Sequence, residues 1–161
     1  MPAPGTTPDS PAWAADRAEE TLRLFFASDD AARLALLEAC ARERLAEADA
    51  MVRARDREAA LRAGDAYATL LDEIDALLED AAARRRQAEA LLGHQYMLAT
   101  NYLDLPRDTR PILLTVIEQA ARHYARLTRQ LPARTKEALF FKEEEVRWSR
   151  DMAMAADEQG L

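Results

Sequence analysis

Imidazoles bind metals and carry protons near neutral pH, and this chain has two, His94 and His123. Tyr96, Glu118 and Tyr124 lie close to them in sequence and could contact a ligand. A hairpin turning at 104–108 would set His94 opposite Glu118. His123 would then fall about one helical turn further on, roughly 7 Å along the axis. The two imidazoles therefore do not converge on one point. His94 can instead pair with Glu118, with Tyr96, Met97 and Tyr124 completing a polar pocket. His94, Tyr96, Glu118, His123 and Tyr124 are thus the candidate ligand-binding set, weighed against a purely structural role for both histidines, which is favoured.

Other residues that could do chemistry read more simply as structure. Cys40, the only cysteine, excludes an intrachain disulfide and any paired-cysteine metal or redox motif. It lies between seam positions of an amphipathic segment, where a small buried thiol is the expected role. Glu143, Glu144 and Glu145 are consecutive and point in different directions around a helix, so they cannot form one cage. Arg122, Arg126 and Arg129 share a helix face and could grip an anion, although salt bridges to acidic residues explain them better. The Glu-x-x-His signature of di-iron bundles is absent, as are the His-Glu-x-x-His, nucleophile-elbow and phosphate-loop motifs. With four glycines a Gly-rich phosphate cradle cannot be built. No catalytic residue, metal or cofactor is expected, and an enzyme is disfavoured.

Composition narrows the class. The chain has 161 residues, 49% of them hydrophobic, with 35 alanines and only 4 glycines and 7 prolines. That apolar content can bury a core and excludes collagen-like and disordered readings. Acids outnumber bases 29 to 22, for a net charge of −7, which argues against nucleic acid as the main ligand. The charge is uneven: residues 1–80 carry 18 acids and 9 bases, residues 81–161 carry 11 acids and 13 bases. No stretch approaches the ~20 apolar residues of a membrane span, and the first residues lack the basic and hydrophobic regions of a secretory signal. Read literally the chain is cytoplasmic; it would be extracytoplasmic if it is the trimmed part of a longer protein.

Hydrophobic spacing supplies the elements. Residues 1–10 read as a flexible tail. Ser10-Pro11 starts a first helix, running to about Ala27, with Trp13, Leu22, Phe25 and Phe26 as its apolar members. Ser28-Asp29-Asp30 supplies the next cap. A second helix over about 30–55 carries Leu34, Leu37, Ala41, Leu45, Ala48 and Val52, spaced three and four apart. Asp56 can cap one long third helix after a very short break, or the second and third helices run together through Arg57. Its stripe is Tyr67, Leu70, Ile74, Leu77 and Ala81, resuming at Ala88, Leu91, Gln95, Leu98 and Tyr102, with a solvated stretch or bend across 81–86. Gly64 and Gly93 are candidate kinks or close-packing points within it. Asp104-Leu105-Pro106 ends it. A fourth helix, capped by Asp108 or Thr109 with Pro111 in its first turn, carries Leu113, Val116, Ala120, His123 and Leu127. A fifth over about 133–157 carries Ala138, Phe141, Trp148 and Met152, and the last residues, 158–161, fray. The expectation is an all-α antiparallel helical bundle, or helical hairpins, of about five helices within a single domain over 11–157.

Three segments carry a family resemblance: Arg23-Leu24 followed by Ser28-Asp29-Asp30, then Arg44-Leu45-Ala46-Glu47-Ala48, then Ala66-Tyr67 on the following helix. The later stretch HQYMLATNYLDLPRDTRPILLTVIEQA continues it. The pattern resembles a bacterial helical domain of unknown function found in the extracytoplasmic region of anti-sigma-factor-like proteins. That domain usually follows a membrane helix, which is not seen here, and residues 133–161 lie outside the resemblance. The resemblance implies a helical sensing or protein-binding module and transfers no catalytic residue. Alanine-rich seams bury little area, so an apolar strip should be left for a partner. The expected function is therefore a non-enzymatic interaction or regulatory module, tied by the resemblance to sigma-factor-type signalling. Its partner would be a second copy, giving a homo-oligomer, or another helical protein. The alternative is a metal or small-ligand sensor at the His94–Tyr124 set.

Overall fold

The computed structural model describes residues 5–159, and its described residues form helices and no strand. Met1–Pro4 and Gly160–Leu161, the outer parts of the expected tail and frayed end, lie outside the described residues. Six α-helices follow one another: α1 (Trp13–Phe25), α2 (Asp30–Ala54), α3 (Arg57–Leu77), α4 (Ala81–Asn101), α5 (Arg110–Arg129) and α6 (Ala133–Glu158), with a short 3-10 turn at Tyr102–Asp104. They group into two compact units, one ending at Leu77 and the other beginning at Leu78.

The count is six rather than five because the expected long third helix is two. The interruption falls at 78–80, just before the anticipated bend. Asp80 adopts an extended backbone, and its carboxylate accepts a hydrogen bond from the Ala83 amide at 2.6 Å. This satisfies one of the amides left over where a helix begins. The three- and four-residue spacing of the sequence through Leu77 and Ala81 conceals this stop, because the apolar pattern runs on across it.

In the first unit α2 and α3 pack against each other and α1 packs on α2. Asp29 caps α2 through the Ala32 amide at 2.7 Å, and Asp56 caps α3 through Ala59 at 2.9 Å. Between the two helices Arg55 takes a left-handed conformation, φ 62°, while the Asp56 amide reaches back to the Met51 carbonyl at 3.0 Å. That closes a tight helix end of the kind glycine usually makes. The expected α2 stripe is buried from Leu37 to Val52, and Tyr67, Leu70 and Ile74 are buried on α3. Within the stretch read as tail, Pro8 is buried and its carbonyl accepts from Arg62 at 3.1 Å.

In the second unit α4 packs against both α5 and α6. Ala88, Leu91, Gln95, Leu98 and Tyr102 are buried, as are Leu113, Val116, Ala120, His123 and Leu127. Gly64 is buried, whereas a methyl group added at Gly93 would meet nothing within 4 Å, so Gly93 is not a close-packing point. Helix α6 departs from expectation. Its buried residues are Leu139, Val146 and Ala153, one per seven, while Phe141, Trp148 and Met152 are 81%, 66% and 53% exposed and Ala138 is exposed as well. The sequence stripe exists, but it faces outward.

Two substitutions test the helix ends by urea denaturation. Asp80→Ala should lower the urea midpoint, since it orphans the Ala83 amide. Arg55→Gly should raise stability by about 1 kcal/mol, because a side chain is strained at positive φ. Opposite signs would contradict the cap geometry.

Candidate functional site

The first unit holds a buried charge cluster that joins α1 to α2. Arg44 has no exposed surface, and its guanidinium lies 2.6 Å from Glu20 and 3.0 Å from Glu47. The Trp13 indole donates to Glu47 Oε2 at 3.1 Å, and Arg44 stacks 5.8 Å from the same ring. Glu47 is fully buried, and its Oε1 has no hydrogen-bond partner. Burial pushes the Glu47 carboxyl up to about 7, with Arg44 and the Trp13 hydrogen bond pulling the other way. Burial raises Glu20 too, again opposed by Arg44. Arg44 and Glu47 stand in the segment that carries the family resemblance, but burial of the arginine is not expected from sequence, because an arginine in a helix normally reaches solvent. The only available signal is its position on the buried side of α2, between Ala41 and Ala48.

Beside this cluster lies a cleft of about 190 Å³ lined by Asp16, Glu20, Arg23, Leu24 and residues of α2 including Cys40 and Glu43. Burial, with help from Glu20, pushes the Cys40 thiol up to about 11. A neutral buried thiol is a poor nucleophile.

In the second unit the five candidate residues occupy different surroundings. His94 is half-buried on α4 and Glu118 is exposed on α5. His123 is buried, with the Arg126 guanidinium 2.7 Å from Nδ1. Tyr124 is buried and donates to Glu143 of α6 at 2.9 Å; burial and that carboxylate raise its hydroxyl well above the usual tyrosine value. Tyr96 is exposed and turns to a cleft of about 180 Å³ between α4 and α6. That cleft is lined by Glu89, Leu92, Gly93 and Tyr96 on one side and Lys142, Glu145 and Val146 on the other. Among the described residues no group of three or more His, Cys, Asp or Glu is disposed to hold a metal ion.

The three successive glutamates separate as their directions require. Glu143 accepts from Tyr124, Glu144 pairs with Arg147, and Glu145 borders the cleft. Next to that cleft runs the outward face of α6, where Ala138, Phe141, Glu145, Trp148, Met152 and Ala155 recur every three or four residues and are all exposed. Phe140 lies edge-on to Phe141, with ring centroids 5.7 Å apart. The inner end of α6 is fixed by Asp157, which pairs with Arg110 of α5 and accepts from the Tyr102 hydroxyl at 3.3 Å. Arg110 also donates to the Leu105 and Leu103 carbonyls at 3.0 and 2.7 Å. Apolar surface of Leu92, Tyr96 and Val146 shares that cleft with the charged side chains Glu89, Lys142 and Glu145.

A family model for a domain of unknown function, DUF5667, matches residues 5–137. The chain belongs to that family. The match covers five helices and ends in the first turn of α6, so Phe141, Trp148 and Met152 lie beyond it. No curated protein and no solved structure matches the chain. Among the described residues no helix is long and apolar enough to cross a membrane.

The charge cluster predicts a pH dependence. The folded state holds the Glu47 proton up to about pH 7, whereas the ordinary value is 4.5, so folding is favoured below that window and weakens as pH rises through it. Unfolding free energy of the full chain should therefore fall between pH 4.5 and 7, and Glu47→Gln should flatten that slope. A slope unchanged by the substitution would show that Glu47 ionises normally in the fold. Arg44→Leu should cost about 3–5 kcal/mol by leaving buried carboxylates without their cation.

Proposed function

We propose that the chain is a non-enzymatic helical protein-interaction module with a regulatory role, and that the outer face of α6 is where it meets its partner. The observation that carries this reading is the exposure of Phe141, Trp148 and Met152 along one face of a helix whose opposite face is already packed. Leaving two large aromatic rings and a methionine in water is unfavourable by roughly 25 cal/mol per Å² of apolar surface. Large apolar side chains recurring along one helix face mark an interaction surface more often than scattered single residues do. The neighbouring cleft at Gly93 and Tyr96 offers a socket for a side chain of the incoming helix.

Two parts of the reading rest on more general grounds. Short connections between consecutive helices that pack support an antiparallel pairing of α2 with α3 and of α4 with α5. The regulatory setting, sigma-factor-type signalling, is what the family resemblance implies. A helix-in-groove contact of this sort reads its partner through side chains at helical spacing.

Site-specific photo-crosslinking tests the proposal. A benzophenone side chain placed at 141 or 148 should give a discrete larger species in the cells that make the protein, and one placed at 129 should not. If 141 and 148 yield no adduct, or the same products as 129, the outer face of α6 is not the contact.

A further inference from the structure

The outer face of α6 also carries a charge pattern, and that pattern selects among occupants. Beside the seam of Phe141, Trp148 and Met152 runs a row of acids at seven-residue intervals, Glu137, Glu144, Asp151 and Glu158, of which Glu137, Asp151 and Glu158 are exposed. Arg147 and Arg150 partly neutralise Glu144 and Asp151 from the same helix. Within the seam itself, between Phe141 and Trp148, stands Glu145, also exposed. On the other flank the equivalent positions are Lys142, Ser149 and Ala156.

A second copy fits this pattern badly. Two α6 helices paired antiparallel along the seam would set like flanks together, so the acidic rows would face each other and Lys142 would face Lys142. Paired parallel, they would match only Glu137 with Lys142. In either case Glu145 would be covered without a cation, which is costly for a carboxylate, and a polar residue at a seam position selects partners for this reason. An anionic membrane or a nucleic acid would be repelled by the same acids.

Resting on the reading of α6 as the contact face, we infer that its occupant is a basic amphipathic helix of another protein. Its apolar side chains would lie on Phe141, Trp148 and Met152, a Lys or Arg would face Glu145, and further bases would follow the acidic row. The arrangement gains from both burial and charge, and the charges fix register and partner more than they add affinity.

Fluorescence anisotropy with labelled synthetic helices of identical apolar spacing decides it. One peptide carries lysine and the other glutamate at every polar site, each titrated with the full-length protein. The lysine peptide should bind with a dissociation constant of about 10 µM and weaken as salt rises from about 50 to about 300 mM. Trp148→Ala and Glu145→Lys should each weaken it about tenfold, while Arg129→Ala should leave it unchanged, and circular dichroism should match across the variants. Equal binding of both peptides, or no effect of Glu145→Lys, would overturn the charge inference and leave the interaction reading standing. If neither peptide binds yet sedimentation shows a dimer abolished by Trp148→Ala, the occupant is a second copy. Trp148-dependent binding to phosphatidylcholine vesicles instead would make it a lipid surface, and either result would overturn the inference.

Discussion

In each unit the helix with the fewest buried residues is tied to its neighbours by an arginine that has little or no access to water. Arg44 on α2 gathers Glu20 of α1, Glu47 and the ring of Trp13. Arg110 on α5 gathers Asp157 of α6, two carbonyls of the turn before α5, and the ring of Tyr102. The reason is compositional. Alanine-rich seams bring helices close but remove little apolar surface per residue, so α1 and α6 have thin hydrophobic contacts. A guanidinium, with five donors in a plane, can hold several acceptors at once. Its own burial makes that hold conditional on every acceptor being present.

The cost of this device differs between the two clusters. Asp157 remains partly exposed, and water shares the load there. Glu47 does not, and one of its oxygens goes unmatched, so burial raises its proton affinity despite the cation beside it. The docking of α1 on α2 is accordingly sensitive to the protonation of Glu47 and Glu20.

Much of the fold was legible in the residues. The stripes on α2, α4 and α5 point inward as their spacing says, although the buried sides of α2 and α4 also take in Arg44, Glu47, Gln87 and Gln95. The caps at Asp29 and Asp56 follow from short polar residues placed before apolar runs. Asp80 escaped notice because helical spacing persists across it. On α6 the spacing of Ala138, Phe141, Trp148 and Met152 is real, but periodicity reports that a face is apolar without saying what covers it. The inward stripe there, Leu139, Val146 and Ala153, is too sparse to stand out beside two aromatic rings. The residues singled out for chemistry, His94, Tyr96, Glu118, His123 and Tyr124, were chosen by type, and type alone does not reveal that Tyr124 is taken by Glu143 and His123 lies against Arg126. Arg44 is the converse case, a charged residue whose burial is hinted at only by its place between Ala41 and Ala48 on the α2 stripe.

The inner and outer stripes of α6 share one repeat of seven residues, and a straight helix at about 3.6 residues per turn goes through slightly less than two full revolutions in that distance. Both stripes therefore creep around the axis together, by about 20° per repeat. α4 already follows one of them. Any rod-like visitor tracking the other must coil about α6 with a left-handed sense, entering at a slant, so the path is drawn in advance and needs no refolding of the host.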